Sequence, residues 1–301
     1  MGSFEPVSLG DREEINRRLS LFPHNEASEY TFTNLYIWQK LENIAWMAGE
    51  DYMLLRIWPK GVLHYLMAIA PEDKQEEALE AAIATAREED SPFVMQSLPA
   101  WYCDMLRERM PGRFHFEREV RLDDYIYATD DLVHLRGKKY QAKRNHINKF
   151  MHVYGRRYSY VPYEPEMADA CMEVYDRWLE VHEETGELLA ERESVKRALY
   201  HAEELGVVGG VILVDGMPEA FSIGEQMTGD TAVIHIEKVN PRIPELFSLI
   251  NREFAAFAFE HLPWINREED MGNEGLRRSK LSYHPTRMVK KYRATLAGQA
   301  E

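Results

Sequence analysis

Apolar positions along this chain alternate between a period of two and a period near three and a half, and the switches mark its elements. Asp11 to Leu21 reads as a helix, and Phe32, Leu35 and Trp38, three apart, fit a second buried helical face. Ala45–Ile57 and Val62–Ala70 are apolar-rich runs divided by Gly49-Glu50-Asp51 and Pro59-Lys60-Gly61, which predicts a meander of short strands. Pro71 to Glu89 reads as a helix, with proline in its first turn, acids in its N-terminal half and Leu79, Ile83 and Ala86 at helical spacing. A strand at Phe93–Gln96, a helix at Ala100–Arg109 and strands at Phe114–Val120 and Tyr125–Tyr127 follow.

Asp130 to His152 reads as one long basic helix with an irregular apolar side formed by Leu135, Ala142, Ile147 and Phe150. Beyond it the order repeats. A strand at Tyr158–Tyr163 precedes an amphipathic helix at Pro165–Glu184, with Cys171, Val174, Tyr175, Trp178 and Val181 on its apolar face, and a helix at Ser194–Leu205. Val207–Val214, Ala220–Gln226 and Thr231–Lys238 form a meander that turns first at Asp215-Gly216, a hairpin signal. Pro244–His261 is a helix with Leu246, Leu249, Ile250, Phe254, Phe257 and Ala258 apolar, and Pro263–Asn266 is a strand. Each half thus runs through helical material, a three-strand meander, a long helix, a short strand and another helix. This order predicts an α/β (α+β) protein of two similar domains, each a mixed, mostly antiparallel sheet flanked by helices. The boundaries fall at 1–130, a basic helical linker at 131–157, and 158–301, the last carrying the active site.

The length of 301 residues suits two domains, and 45% apolar residues suits a globular chain. No apolar run reaches the length of a membrane span, and Met1–Asp11 lacks the basic and apolar regions of a signal peptide. Cys103 and Cys171 are far apart and lack metal-type spacing, so buried free thiols in a cytoplasmic protein are expected. The net charge of −15 argues against general binding of nucleic acid or anionic membranes. The charge is unevenly spread, however. Residues 132–163 contain no acid and hold Arg136, Lys138, Lys139, Lys143, Arg144, Lys149, Arg156 and Arg157. Residues 276–300 also lack acids and hold Arg277, Arg278, Lys280, Arg287, Lys290, Lys291 and Arg293. Two basic blocks on an acidic chain point to a local anionic ligand, such as phosphates or an RNA end.

The segment after the last strand concentrates candidate chemistry. Glu268, Glu269 and Asp270 precede Gly272, Asn273 and Gly275, and the cluster Arg277-Arg278-Ser279-Lys280 follows. Acid, permissive backbone and base after a strand is a common way to build a site. The alternative is a turn followed by a solvated helix end. In the mid-chain block, Lys143, Arg144 and Lys149 are candidates for phosphate contacts, with Tyr140 stacking on a base or sugar. Against this stands a basic helix paired with acidic helices elsewhere. His134, His146 and His152 lack a convincing ligand set, so no metal is expected.

Four segments carry a family resemblance: Phe32-Thr33-Asn34-Leu35-Tyr36-Ile37-Trp38, Asp124-Tyr125-Ile126-Tyr127, the run from Leu135-Arg136-Gly137-Lys138-Lys139-Tyr140 to Asn148-Lys149-Phe150, and Asp270-Met271-Gly272-Asn273-Glu274-Gly275-Leu276-Arg277-Arg278-Ser279-Lys280. Together they span nearly the full length. The chain resembles the soluble relatives of the C-terminal domain of phosphatidylglycerol lysyltransferase, and its second half resembles a GNAT acyltransferase domain in element order. The resemblance implies tandem GNAT domains, as in Fem-type peptidoglycan aminoacyltransferases, and transfer of an acyl or aminoacyl group to an amine or hydroxyl. The donor is an acyl-CoA or an aminoacyl-tRNA, whose acceptor end would then be a partner; the acceptor is a small molecule or peptide-like. The usual glycine-containing pyrophosphate loop is missing. Asn240-Pro241-Arg242-Ile243-Pro244-Glu245-Leu246 stands in its place, with two prolines that remove N–H donors. Aminoacyl-tRNA gains weight on that ground.

Acyl transfer needs a base, oxyanion donors and an acid for the leaving group. Asp270 and Glu237 are the candidate bases, and Asp270 is preferred because it lies in a segment that carries the resemblance. Tyr283 is the candidate acid. Gly272, Asn273, Gly275, Arg277 and Lys280, with Tyr140, Lys143, Arg144 and Lys149, are the candidate binding residues. For Glu237 the structural alternative is an ion pair with Lys238 or Arg242, and for Asp270 a turn cap. A catalytically idle module of the same fold, binding an anionic ligand or RNA end, is the competing function.

Overall fold

The structure, a computed structural model, describes residues 3–182 and 185–298. The chain divides into two compact units. Unit 1 comprises Met1–Asp124, Glu269–Asn273 and Met288–Glu301; unit 2 comprises Tyr125–Glu268 and Glu274–Arg287. This division differs from the sequence boundaries. The segment 131–157 is not a linker but part of unit 2, and the end of the chain returns to unit 1.

Unit 1 is built on a seven-stranded sheet in the order Glu5–Pro6, Ala45–Ala48, Met53–Ile57, His64–Tyr65, Val94–Pro99, Lys291–Leu296, Phe114–Arg118. The strand Lys291–Leu296 lies inside the sheet, antiparallel to both neighbours. The sequence reading missed it, because a basic tail hides the pattern. Lys291 and Ala294 are its buried positions, and the lysine is buried because its ammonium meets Asp124 at 2.6 Å and Glu29 at 2.5 Å.

The second sheet, also seven-stranded, runs Arg287–Val289, Asp124–Ala128, Trp264–Asn266, Thr231–Val239, Met217–Gln226, Val208–Val214, Tyr158–Pro162. Its central hairpin turns at Asp215 and Gly216, with φ of 51° and 80°, as a two-residue turn between right-twisted strands requires. Helix Leu246–Phe259 packs on the three central strands, and helix Ala168–Leu179 also packs on Met217–Gln226 and Thr231–Val239. Each sheet includes a parallel pair: His64–Tyr65 beside Val94–Pro99 in one, Thr231–Val239 beside Trp264–Asn266 in the other.

Several predicted elements differ from those observed; of the run Val62–Ala70 only His64–Tyr65 is a strand. The long helix over Asp130–His152 is two helices, Thr129–His134 and Gln141–Tyr154. The break lies at Leu135, which closes the first helix with φ 48°, and at Gly137, with φ 85° and ψ 175°, a conformation open to glycine. The helix expected at Pro165–Glu184 ends at Leu179, and its last two positions lie outside the described residues. The next helix starts at Gly186, well before Ser194, because the Thr185 hydroxyl accepts the Leu188 N–H at 3.2 Å. Cys103 and Cys171 are buried free thiols. Among the described residues no helix is long and apolar enough to cross a membrane.

Candidate active site

The parallel pair in unit 2 is short. Thr231, Ala232 and Val233 are in register with Trp264, Ile265 and Asn266, and there the shorter strand stops. The longer one continues to Val239, paired only on its other side. The two strands therefore part after Val233, and successive side chains of the free length point to opposite faces of the sheet.

Glu237 lies on this free length. One of its carboxylate oxygens is 3.1 Å from Arg267, the residue just past the short strand, and the other accepts a 3.2 Å hydrogen bond from the Asn251 side chain. Glu237 is thus an ion-pair partner, though of Arg267 and not of Lys238 or Arg242. Asn251 stands on the inner face of helix Leu246–Phe259 and is wholly buried. The guanidinium lies 4.8 Å from the Tyr283 ring centre and 5.7 Å from that of Tyr127. Burial works against the charge of Arg267, but Glu237 and the two tyrosines outweigh it and its pKa is raised. Two atoms of this cluster are left over. Nη1 of Arg267 and Oδ1 of Asn251 are buried and have no hydrogen-bond partner among the described residues. Both residues contact the Glu237 carboxylate, and an unmatched buried donor and an unmatched buried acceptor in one cluster are costly in a finished core.

Lys143, in the first turn of helix Gln141–Tyr154, completes the cluster. Its ammonium sits 3.7 Å from the Tyr283 ring centre. Burial, then the nearby Arg267 charge, pull its pKa down to about 8 against the opposite pull of Glu237. Tyr283 is itself buried, and burial pushes its hydroxyl up to about 12 despite Arg267.

The structure thus brings Lys143, Glu237 and Tyr283 together and disposes of the other candidates differently. Asp270 belongs to unit 1, is buried, and accepts the Gly272 N–H at 2.8 Å; its carbonyl accepts the Asn273 N–H at 2.8 Å. It caps a turn whose Met271 and Gly272 have φ of 51° and 81°, so the turn explains this acid and glycine without a ligand. Gly275 and Arg277 lie in helix Glu274–Leu281 of unit 2. Lys280 of that helix is buried and donates to the Arg267 carbonyl, which removes it as a phosphate anchor. Tyr140 is wholly buried and so cannot stack on a base; its hydroxyl donates to the Tyr283 carbonyl at 2.9 Å. The Arg144 guanidinium donates to the carbonyls of Leu135 and Gly137 and closes the helix break, while Lys149 is paired with Glu245. Arg136 with Asp130, Lys139 with Asp131 and Arg157 with Asp215 are also ion pairs, so much of this basic block is neutralised locally.

The sequence reading missed Arg267 and Asn251. A signal was there: Ser248 and Asn251 are polar, three apart, on an otherwise apolar helix face. It also missed His235, two residues before Glu237. His235 is buried between Glu225 and Glu268, with contacts of 3.0 Å and 2.9 Å to its two ring nitrogens. Burial lowers its pKa, but the two carboxylates prevail and raise it to about 9. The folded pKa lies above the ordinary 6.5, so this triad stabilises fully below about pH 6.5 and its contribution is lost as pH rises through about 9. Urea melts are expected to show stability falling between pH 7 and 10, with His235→Gln flattening that fall; equal slopes for the two proteins would assign the pH dependence elsewhere. Among the described residues no group of three or more His, Cys, Asp and Glu side chains is placed to hold a metal ion.

Comparison with known proteins agrees with this fold. A conserved protein of unknown function from Bacteroides thetaiotaomicron is 34% identical, with 98% of this chain and 100% of that one covered and a TM-score of 0.89. L-PGS from Bacillus licheniformis is 14% identical over 98% of this chain and 94% of that one, TM-score 0.67. A tandem GNAT protein from the clavulanic acid biosynthesis pathway is 12% identical over the whole of both chains, TM-score 0.51. No curated protein matches in sequence. The two sheets therefore form a tandem GNAT-type, acyltransferase-like fold. With the family model for the C-terminal part of phosphatidylglycerol lysyltransferase matching residues 22–295, the chain belongs to that family.

Proposed function

We propose that unit 2 catalyses acyl transfer from an aminoacyl ester, the acceptor end of a charged tRNA, to an amine or hydroxyl of a small or peptide-like acceptor. The observation that carries this reading is that Arg267 Nη1 and Asn251 Oδ1, in the cluster around Glu237 on the free length of the parted strand, are buried and unmatched. The Arg267 N–H is placed to hold the acyl carbonyl and the negative charge it develops on attack. Glu237 keeps the guanidinium charged and oriented. Asn251 Oδ1 is an acceptor for an N–H of the substrate, such as the α-amino group that an aminoacyl donor has and an acetyl donor lacks.

The choice of donor is supported by the segment before helix Leu246–Phe259. Pro241 and Pro244 have no N–H, the Arg242 and Ile243 N–H groups are taken by Asn240, and the Leu246 N–H is taken by Ile243. Glu245 adds a carboxylate where a pyrophosphate would otherwise meet the helix N-terminus. The family's name, which denotes lysyl transfer, points the same way.

The test is a donor panel. The protein is incubated with isotopically labelled aminoacyl-tRNAs or with acyl-CoAs, each with mixed amine and hydroxyl acceptors. Acceptor-dependent loss of label from one or a few aminoacyl-tRNAs is expected, with no turnover of acyl-CoA. Turnover of a CoA thioester, with a rise in melting temperature on CoA binding, would replace this reading with a CoA-dependent one. No transfer from any donor would leave a binding module.

A further inference from the structure

We propose that Lys143, as the free amine, is the base that takes the proton from the attacking acceptor. This rests on acyl transfer at the unit 2 cluster and adds to it the group that activates the nucleophile. The Lys143 ammonium is half-buried, and its neighbour is an aromatic face, the Tyr283 ring at 3.7 Å. Among the described residues it takes no hydrogen bond or ion pair. A surface lysine solvates its charge, and a buried structural lysine finds carboxylates, as Lys291 does with Asp124 and Glu29. Lys143 has no such carboxylate among the described residues.

The charged and titratable groups around it act together. Arg267, past the short strand, repels a second positive charge; Glu237, on the long strand, attracts it, but its two oxygens are engaged by Arg267 and Asn251. Tyr283 and Tyr127 carry hydroxyls that burial keeps protonated. The amine consequently titrates near 8, so about a tenth of it is neutral at pH 7, far more than for an ordinary lysine. The other groups suit the role less. Glu237 is committed to Arg267, and Tyr283, pushed up to about 12, holds its proton.

The step balances without a further reactant. The Lys143 nitrogen lone pair takes the proton as the acceptor's nitrogen or oxygen bonds to the acyl carbon, and the carbonyl electrons move to the oxygen held by Arg267. Collapse breaks the bond from the acyl carbon to the ester oxygen, and the Lys143 ammonium returns its proton to that leaving oxygen. The neutral amine is restored, and the proton has passed from acceptor to leaving group.

Two measurements test this, one of them independent of turnover. Competitive labelling of the native protein with an amine-reactive reagent, read by mass spectrometry as a function of pH, is expected to give Lys143 a midpoint near 8. A midpoint near 10 overturns the proposal whether or not a donor has been found, while absence of transfer with a midpoint near 8 counts against the acyl-transfer reading. In single-turnover transfer, the wild-type rate should rise with pH through a midpoint near 8 and level off about one unit above it. Lys143→Ala and Lys143→Arg should lose about 10²- to 10⁴-fold together with that limb, with donor affinity unchanged, and added ethylamine should restore part of the Lys143→Ala rate. An unchanged rate and limb in Lys143→Arg, or a weaker donor Kd with the limb intact in Lys143→Ala, would make Lys143 an anion anchor and overturn its role as base. Melting curves of both variants exclude unfolding as the cause.

Discussion

Replacing Lys291 by methionine is expected to destabilise the protein by about 3–5 kcal/mol, the usual cost of breaking a buried ion pair from one side. Lys291 is completely buried in the interior strand of the first sheet. Its ammonium lies 2.6 Å from Asp124, which is also fully buried and accepts the Ser28 N–H at 2.9 Å, and 2.5 Å from Glu29. Burial lowers the lysine pKa, but the carboxylates overcome this and raise it; burial is also the main reason the Glu29 pKa is raised. Methionine fills the space of the stem and leaves two carboxylates facing each other. In the variant their folded pKa values should lie above the unfolded ones, so its stability should recover as pH falls through them. Urea melts at pH 7 and pH 5 check both parts. The triple change Lys291→Met, Asp124→Asn, Glu29→Gln should regain much of the loss at pH 7. If Lys291→Met costs less than about 1 kcal/mol and shows no recovery in acid, the triad does not hold this strand in the sheet.

The largest expected effect on activity is that of Arg267→Lys. Lysine keeps the charge beside Glu237 but lacks the fork that pairs one N–H with the carboxylate and leaves a second, on Nη1, unmatched. If Nη1 holds the developing oxyanion, single-turnover transfer should fall by about 10²- to 10³-fold, as when one such donor is removed from other acyl-transfer sites. Donor affinity should change far less, since the bond strengthens as charge develops. Glu237→Gln retains an acceptor for Arg267 and should therefore be milder. A folded Arg267→Lys protein with wild-type turnover would remove Arg267 from the chemistry and shift attention to the face bearing Lys238, which reaches Glu191 at 2.7 Å and the Trp178 ring at 3.6 Å.

Much of the fold is determined by local chemistry and was legible in the chain. The meander of unit 2 follows from strand alternation closed by Asp215-Gly216, where positive φ is required. Helix Ala100–Arg109 was legible to the residue, and helix Leu246–Phe259 followed from an apolar face at helical spacing. The repeated order of elements was enough to expect two sheets of one kind. What the chain alone did not decide was pairing between distant segments. A strand's partner depends on contacts that local periodicity does not record. The tail that looked merely basic became the interior strand Lys291–Leu296 because Asp124 and Glu29, more than 160 residues away, neutralise its lysine. The break at Leu135 and Gly137 was hidden for a similar reason, since the carbonyls it frees are met by Arg144, which reads as surface charge until the chain is folded.

The candidate site divides in the same way. Glu237, Tyr283 and Lys143 were identifiable as residue types at strand, loop and helix ends, but their roles were not. Asp270 was the preferred base and Lys280 a candidate anchor in sequence, and folding turned one into a turn cap and the other into a donor to the Arg267 backbone. The chemical potential of Lys143, Arg267 and Asn251 arises only where burial removes water and leaves their polar atoms unmatched. Desolvation and missing partners belong to the surroundings of a side chain, so sequence specified which groups were present and tertiary structure decided which of them were buried and left unmatched.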